Sequence, residues 1–168
     1  AAVLIDDTHV HPVVRRQLFE LEVVALHRQL RALAHELEQH VEQLASEDQA
    51  LLEVASVAGS PFAVAAVAAG LALAAEAIEA QCTTWVRQGR FLAAAGTETW
   101  SDGTLTACYR FRHALYHEVV YRRVSAGRRV RLHHQIGARL ERGYGAAAPS
   151  LAAELAMHFT QGHDPQRA

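Results

Sequence analysis

His113 and His117 stand four residues apart. On a helix that spacing is one turn, close enough for two imidazoles to reach a single ion. His133 and His134 follow nearby, and the chain holds 11 histidines in all. The order around the first pair is His-Ala-Leu-Tyr-His-Glu. It does not place a general-base carboxylate as His-Glu-x-x-His does. No cysteine pair has zinc-ligand spacing. Cys82 and Cys108 stand alone in apolar settings, and each is expected to pack as a small hydrophobe rather than to pair. Metal ligation is therefore not expected, and the histidines read as helix caps, carbonyl partners or surface groups. Ser125, Cys82 and Cys108 lack the neighbouring base and orienting acid that an activated nucleophile needs. Lysine is absent from the sequence, which excludes a phosphate loop of the G-x-x-x-x-G-K-[ST] type within it.

Two groups of charged residues remain. Asp6 and Asp7 close the apolar run Ala1–Ile5. Two carboxylates at the end of a buried strand are how a Walker B segment holds magnesium and polarises a water. The arginines are the second group. Nine of them lie between Thr106 and Arg142, opposed there only by Glu118 and Glu141, so that segment carries +7. With a net charge of −2, the remainder of the chain carries −9. Such polarity in a nearly neutral chain presents a positive face to a partner domain or to nucleic acid. The candidate face comprises Arg110, Arg112, Arg122, Arg123, Arg128, Arg129 and Arg131.

The elements that position these groups follow from composition and period. The chain has 168 residues, half of them apolar and a fifth charged, as in one or two small globular domains. Abundant Ala with few Gly and Pro predicts a mainly α fold. The longest apolar run, Pro61–Ala75, contains Gly70 and is too short to span a membrane. The N-terminus lacks the order of a secretory signal, so a cytoplasmic location without a membrane partner is expected.

No Gly or Pro occurs from Val13 to Ala58. Within that stretch Phe19, Val23, Leu26, Leu30, Leu33, Leu37 and Leu44 alternate in steps of four and three, with His40 in the one gap. This predicts a long helix with one apolar seam. The seam is expected to pack on its own domain or to fold back as a hairpin. The alternative is a coiled-coil homodimer.

Ser46, with Gln49 three residues on, predicts a capped helix over Glu47–Ala58 that stops at Gly59. Ser60 is expected to cap a short helix from Phe62 to Ala69. A third helix spans Ala74–Gln88, with Ile78, Cys82 and Trp85 on its inner face. Arg90–Ala95 and Leu105–Phe111 read as strands joined by the Trp100–Gly103 turn. Helices are then expected over His113–Val124, Ala126–Arg142 and Ser150–Thr160. Gly143 and Gly145 are expected to end the second of these, and Pro149-Ser150 to open the last. The last carries an amphipathic pattern of Leu151, Leu155, Met157, His158 and Phe159, whose C-terminal partner is expected to be missing.

Three short helices followed by a hairpin is the order of a winged helix. The expected organisation is a strand and long helix over 1–45, a winged-helix-like domain (three helices plus a β-hairpin) over 46–112, and repeat-like helices over 113–168. The third helix carries Glu76 and Glu79 against Arg87, a poor match to DNA phosphates.

Residues 44–168, about three-quarters of the chain, resemble the region after the nucleotide-binding core of bacterial STAND-class signal-transduction ATPases, AAA-related regulators. The segments that carry the resemblance are LASEDQALLEVASVAGSPF (Leu44–Phe62), WVRQGRFL (Trp85–Leu92), YRFRHALYHEVVY (Tyr109–Tyr121), RRVRLHHQIGARLERGYG (Arg128–Gly145) and LAAELAMHF (Leu151–Phe159). The resemblance implies a winged-helix domain leading into tetratricopeptide-like helical repeats. It also implies contact with a nucleotide-binding domain, its own or a neighbour's, whose state the module relays. VLIDDTHVHP is similar to the family's Walker B strand, which implies that Asp6 holds magnesium and Asp7 assists water attack. No phosphate loop precedes that segment, and the interval before the winged-helix start is too short for the rest of an ATPase core. The chain is thus expected to be a fragment or to carry a shortened core. It is expected to be non-catalytic and without a cofactor of its own, with ATP and magnesium bound only in a full-length parent. A winged-helix DNA-binding transcription regulator is the alternative function.

Overall fold

The computed structural model describes residues 12–164, 166 and 167. The expected strand Ala1–Ile5 and the carboxylates Asp6 and Asp7 lie outside the described residues.

Helix predominates, with one small sheet. The order is α1 (Pro12–Glu42), α2 (Ser46–Ala58), β1 (Phe62–Ala63), α3 (Val64–Leu71), α4 (Ala75–Arg87), β2 (Leu92–Thr99), β3 (Leu105–Phe111), α5 (Ala114–Arg123) and α6 (Ala126–Tyr144). A 3-10 segment, Gly145–Leu151, then leads to α7 (Ala152–Gln161). The mainly α expectation agrees with this order. No single helix among the described residues is long and apolar enough to cross a membrane.

The sheet is antiparallel in the order β1-β3-β2. Its hairpin pairs Leu92 with Phe111 and Thr99 with Leu105, with a register irregularity between Ala94 and Gly96. β1 pairs Phe62 with Tyr109 and Ala63 with Cys108. That strand corrects the expected helix start at Phe62: the α3 helix begins at Val64 instead. Two residues are too short to show a strand period, and their conformation is set by pairing with β3. Ser60 does not cap α3, since its Oγ accepts the Phe111 backbone N–H at 3.2 Å.

Ser46 also departs from its expected role. It is the first residue of α2, Ala45 holds the cap position without a side-chain bond, and the Ser46 Oγ donates to Glu47 at 3.2 Å. Gly143 does not end α6, which runs to Tyr144. Pro149 and Ser150 fall in the 3-10 segment rather than opening α7.

A single apolar cluster binds these elements together. Leu52, Val54, Ile78, Trp85, Leu92 and Ile136 are among its least exposed members, and Val124, Leu140 and Phe159 join it from beyond position 112. Burying side chains of this size stabilises by about 1.5–3 kcal/mol each. One side of α7 packs within the chain, while Met157 stays 41% exposed. Leu155, His158 and Phe159 are buried, and α7 packs on α6. Gly137 permits the close approach, because a Cβ there would lie 3.1 Å from both His158 Cβ and Phe159 Cε1.

The helix α1 overturns the expectation that its seam packs on its own domain. It runs unbroken from Pro12 to Glu42. Among the described side chains, those of its last turns seat on the body: Val41 is fully buried, and Leu37 is half-buried. Arg123 of α5 reaches back to Glu42 at 3.2 Å. Leu26, Leu30 and Leu33 remain exposed.

Candidate interaction surface

The basic segment 106–142 folds into β3, α5 and most of α6, and the fold divides its arginines into two sets. One set ties helices together. Arg123 bonds Glu42 and Gln49, both at 3.2 Å, which pins α5 to α1 and α2. Arg128 pairs with the mostly buried Glu53 of α2. Arg129 donates to the Tyr121 and Val124 carbonyls at 3.2 and 2.9 Å, and its guanidinium lies 4.2 Å from the Tyr121 ring centroid. There it closes the C-terminal end of α5, where unpaired carbonyls favour a cation. Arg122 makes only a surface pair with Glu118 at 2.7 Å, which contributes little in water.

The other set has no internal bond. Arg110, Arg112 and Arg131 are exposed, and none makes a hydrogen bond or ion pair among the described residues. Arg110 points outward from β3, in register with Ala93. Arg112 ends the strand where its backbone N–H donates to the Phe91 carbonyl at 2.9 Å. Its guanidinium lies over the turn at Gly89, 3.8 Å from where a Cβ would stand. Arg87 and Arg90 flank that turn and are also exposed. Arg87 and Arg90 sit outside the dense basic segment and are not part of the face expected from sequence, which includes Arg110, Arg112 and Arg131. Their signal was the Arg-Gln-Gly-Arg turn itself, which brings two cations beside the strand that ends at Arg112. Arg131 stands apart on α6.

The hairpin tip is not free. Asp102 accepts from Arg139 at 3.0 Å, Arg139 also donates to the Thr104 hydroxyl at 2.8 Å, and its guanidinium covers the Trp100 ring at 4.5 Å. The Asp102 N–H donates to the Gly143 carbonyl at 2.9 Å. The Thr104 hydroxyl and N–H, with Arg139, hold the Asp102 carboxyl below its usual range. The tip is thus clamped to α6.

A cavity of about 130 Å³ is lined by Phe62, Ala66, Glu98, Cys108, Leu140 and Glu154, among others. Glu98 accepts from Trp100 Nε1 at 2.7 Å and from the Tyr144 hydroxyl at 3.1 Å. Burial and the Glu98 charge push the Tyr144 phenol to about 12 and raise the Glu154 carboxyl. Burial is also the main reason that Cys108 is pushed to about 11 and Cys82 to about 12. At neutral pH both thiols are protonated, a poor state for nucleophilic attack.

Several histidines make internal contacts. The His117 Nε2 lies 2.9 Å from the Ser56 carbonyl, and His113 stacks on Tyr116. His134 approaches Asp164 at 3.6 Å. His133 and His158 meet through their Nδ1 atoms at 3.0 Å in the buried seam between α6 and α7. Burial first, then Arg129 for His133 and His133 for His158, lowers each imidazole to about 4. Among the described residues no three His, Cys, Asp or Glu side chains gather into a metal-binding group.

Comparison with family models, with curated proteins and with solved structures gave no match.

Proposed function

We propose that this chain is a non-catalytic interaction module of a STAND-type signal-transduction ATPase. Residues 46–112 form a winged-helix unit, α5 to α7 begin a helical array, and the module relays the state of a nucleotide-binding domain through interdomain contacts. The order helix, strand, helix, helix, hairpin, with the first strand paired to the last, supports the winged-helix assignment.

The observation that carries the functional reading is the sorting of the arginines. Arg123, Arg128 and Arg129 are consumed in holding helices together, while Arg110, Arg112 and Arg131 keep their full donor capacity for something outside the fold. An arginine fork without an internal acceptor suits a carboxylate-bearing partner surface. Two further features weigh against duplex DNA as that partner. The helix α4, which would enter the groove, carries Glu76 and Glu79, and the tip of the hairpin is clamped on α6 through an aspartate.

The test is charge reversal in the parent ATPase. Arg110→Glu, Arg112→Glu and Arg131→Glu together are expected to leave ATP turnover intact and to weaken its coupling to output by about fivefold or more. Arg122→Glu, at a solvated pair, is the control and is expected to change little. Coupling that survives the triple reversal counts against the proposal. A duplex that is retained at low salt and lost steeply as salt rises favours a DNA-binding regulator instead.

A further inference from the structure

The exposed half of the α1 seam has no counterpart inside the fold. Leu26 is 55% exposed, Leu30 44% and Leu33 49%, with Val23 half-buried beside them. The same stripe continues through Leu37 to the seat of α1 on the body, where Val41 is completely buried. A surface helix of a monomer hides such a stripe against its own core. Here the core covers only one end of it.

The spacing of the stripe says what kind of surface fits it. Steps of three and four place Val23, Leu30 and Leu37 at one repeating heptad position and Leu26 and Leu33 at the other. This 3.5-residue period matches another helix wound alongside. Of the first positions only Val23 is β-branched, with leucine at Leu30 and Leu37 and at both second positions, so orientation rests on the flanking charges instead.

The flanking charges decide between orientations. In a parallel, in-register pair, Glu22 of one helix flanks the second copy's His27, and Gln29 flanks the second copy's Ala34. In an antiparallel pair centred on the exposed stripe, Glu22 faces the second copy's Glu36 twice, and like charges repel there. The His27 Nδ1 is already engaged with the Val23 carbonyl at 2.8 Å, which turns its Nε2 edge away from its own backbone.

We infer that α1 pairs with the α1 of a second copy of this chain as a short parallel coiled coil over Val23–Leu33. This goes beyond the docking role of the arginines and does not depend on it. The two bodies hang side by side below the pair, because each seats on its own helix from Leu37 onward. The paired length is about 16 Å at 1.5 Å per residue, so the association is weak and concentration-dependent.

Sedimentation equilibrium of the 168-residue chain, over a range from about 1 to 500 μM set by a weak interface, is expected to show monomer passing to dimer. Leu30→Glu should weaken dimerisation by about tenfold or more while circular dichroism of the body stays unchanged. A cross-linking arm reads orientation, in a Cys108→Ser background that leaves only the buried Cys82. Leu30→Cys alone should form a disulfide-linked dimer, since equivalent heptad positions meet in a parallel pair. A chain that stays monomeric throughout, or a dimer indifferent to Leu30→Glu, overturns the inference. So does a dimer that cross-links only when Leu26→Cys and Leu30→Cys chains are mixed, which is the antiparallel pattern.

Discussion

Lowering the pH from 7 to 4.5 is expected to remove about 5 kcal/mol of stability from this fold, through His133 and His158 together. In the unfolded chain each imidazole takes up a proton as pH falls through its ordinary value of 6.5. In the folded chain the buried pair resists until about 4. Between those values the unfolded state binds more protons. Stability is therefore complete above 6.5 and is lost as pH falls towards 4. The geometry gives the same direction. One Nδ1 of the 3.0 Å contact must donate and the other accept, and two imidazolium rings offer only donors. His158 Nε2 has no partner among the described residues, so added charge there has nowhere to go. Urea unfolding at pH 7, 5.5 and 4.5 checks this, beside the His158→Leu variant, whose slope over the same window should be shallower. A midpoint that does not move across the window, or equal slopes in both proteins, contradicts the assignment. Because the pair joins α6 to α7, the C-terminal helix should loosen first.

Gly143→Ala is expected to cost about 3 kcal/mol, near the upper end for an overpacked site. A Cβ at that position would overlap the Trp100 ring and come within 2.8 Å of the Arg139 Nη1. Neither group can retreat cheaply. Trp100 is 2% exposed, and its indole N–H is bonded to Glu98. Arg139 holds Asp102 and Thr104. The variant should therefore lower the denaturation midpoint and also shift tryptophan emission to the red, as Trp100 is expelled while Trp85 stays buried. A midpoint within about 0.5 kcal/mol of the parent, with emission unchanged, would show that the clamp adapts and is not rigid.

Much of the secondary structure could be read before the fold was seen, and the reasons are local. Ile78, Cys82 and Trp85 recur at the helical period and are all buried on α4. Leu105–Phe111 is a strand with the expected limits, because a turn and alternating apolar residues bracket it. What escaped was decided at long range. The two-residue β1 exists because Tyr109 and Cys108 pair with it from across the fold. Ser46 and Ser60 have the chemistry of caps, yet each finds a different partner. Gly143 looked like a terminator, and its actual role is to make room for Trp100. The same holds for the surface. Charge density marks the basic segment, but only the fold separates Arg128, which neutralises Glu53, from Arg131, which has no ion pair among the described residues. Composition counts charges without their acceptors, so the two look alike in sequence.

The seat of α1 has a mechanical consequence. The helix is gripped near its C-terminal end, at Leu37 and Val41, and projects from there. From Leu37 back to Pro12 it extends about 38 Å at 1.5 Å per residue. A tilt of about 10° at the grip carries the far end through about 6–7 Å over that length. Small displacements of α5, through Arg123 and Glu42, are thereby magnified into a stroke at the opposite tip, and a pull on the tip returns to α5 with multiplied torque.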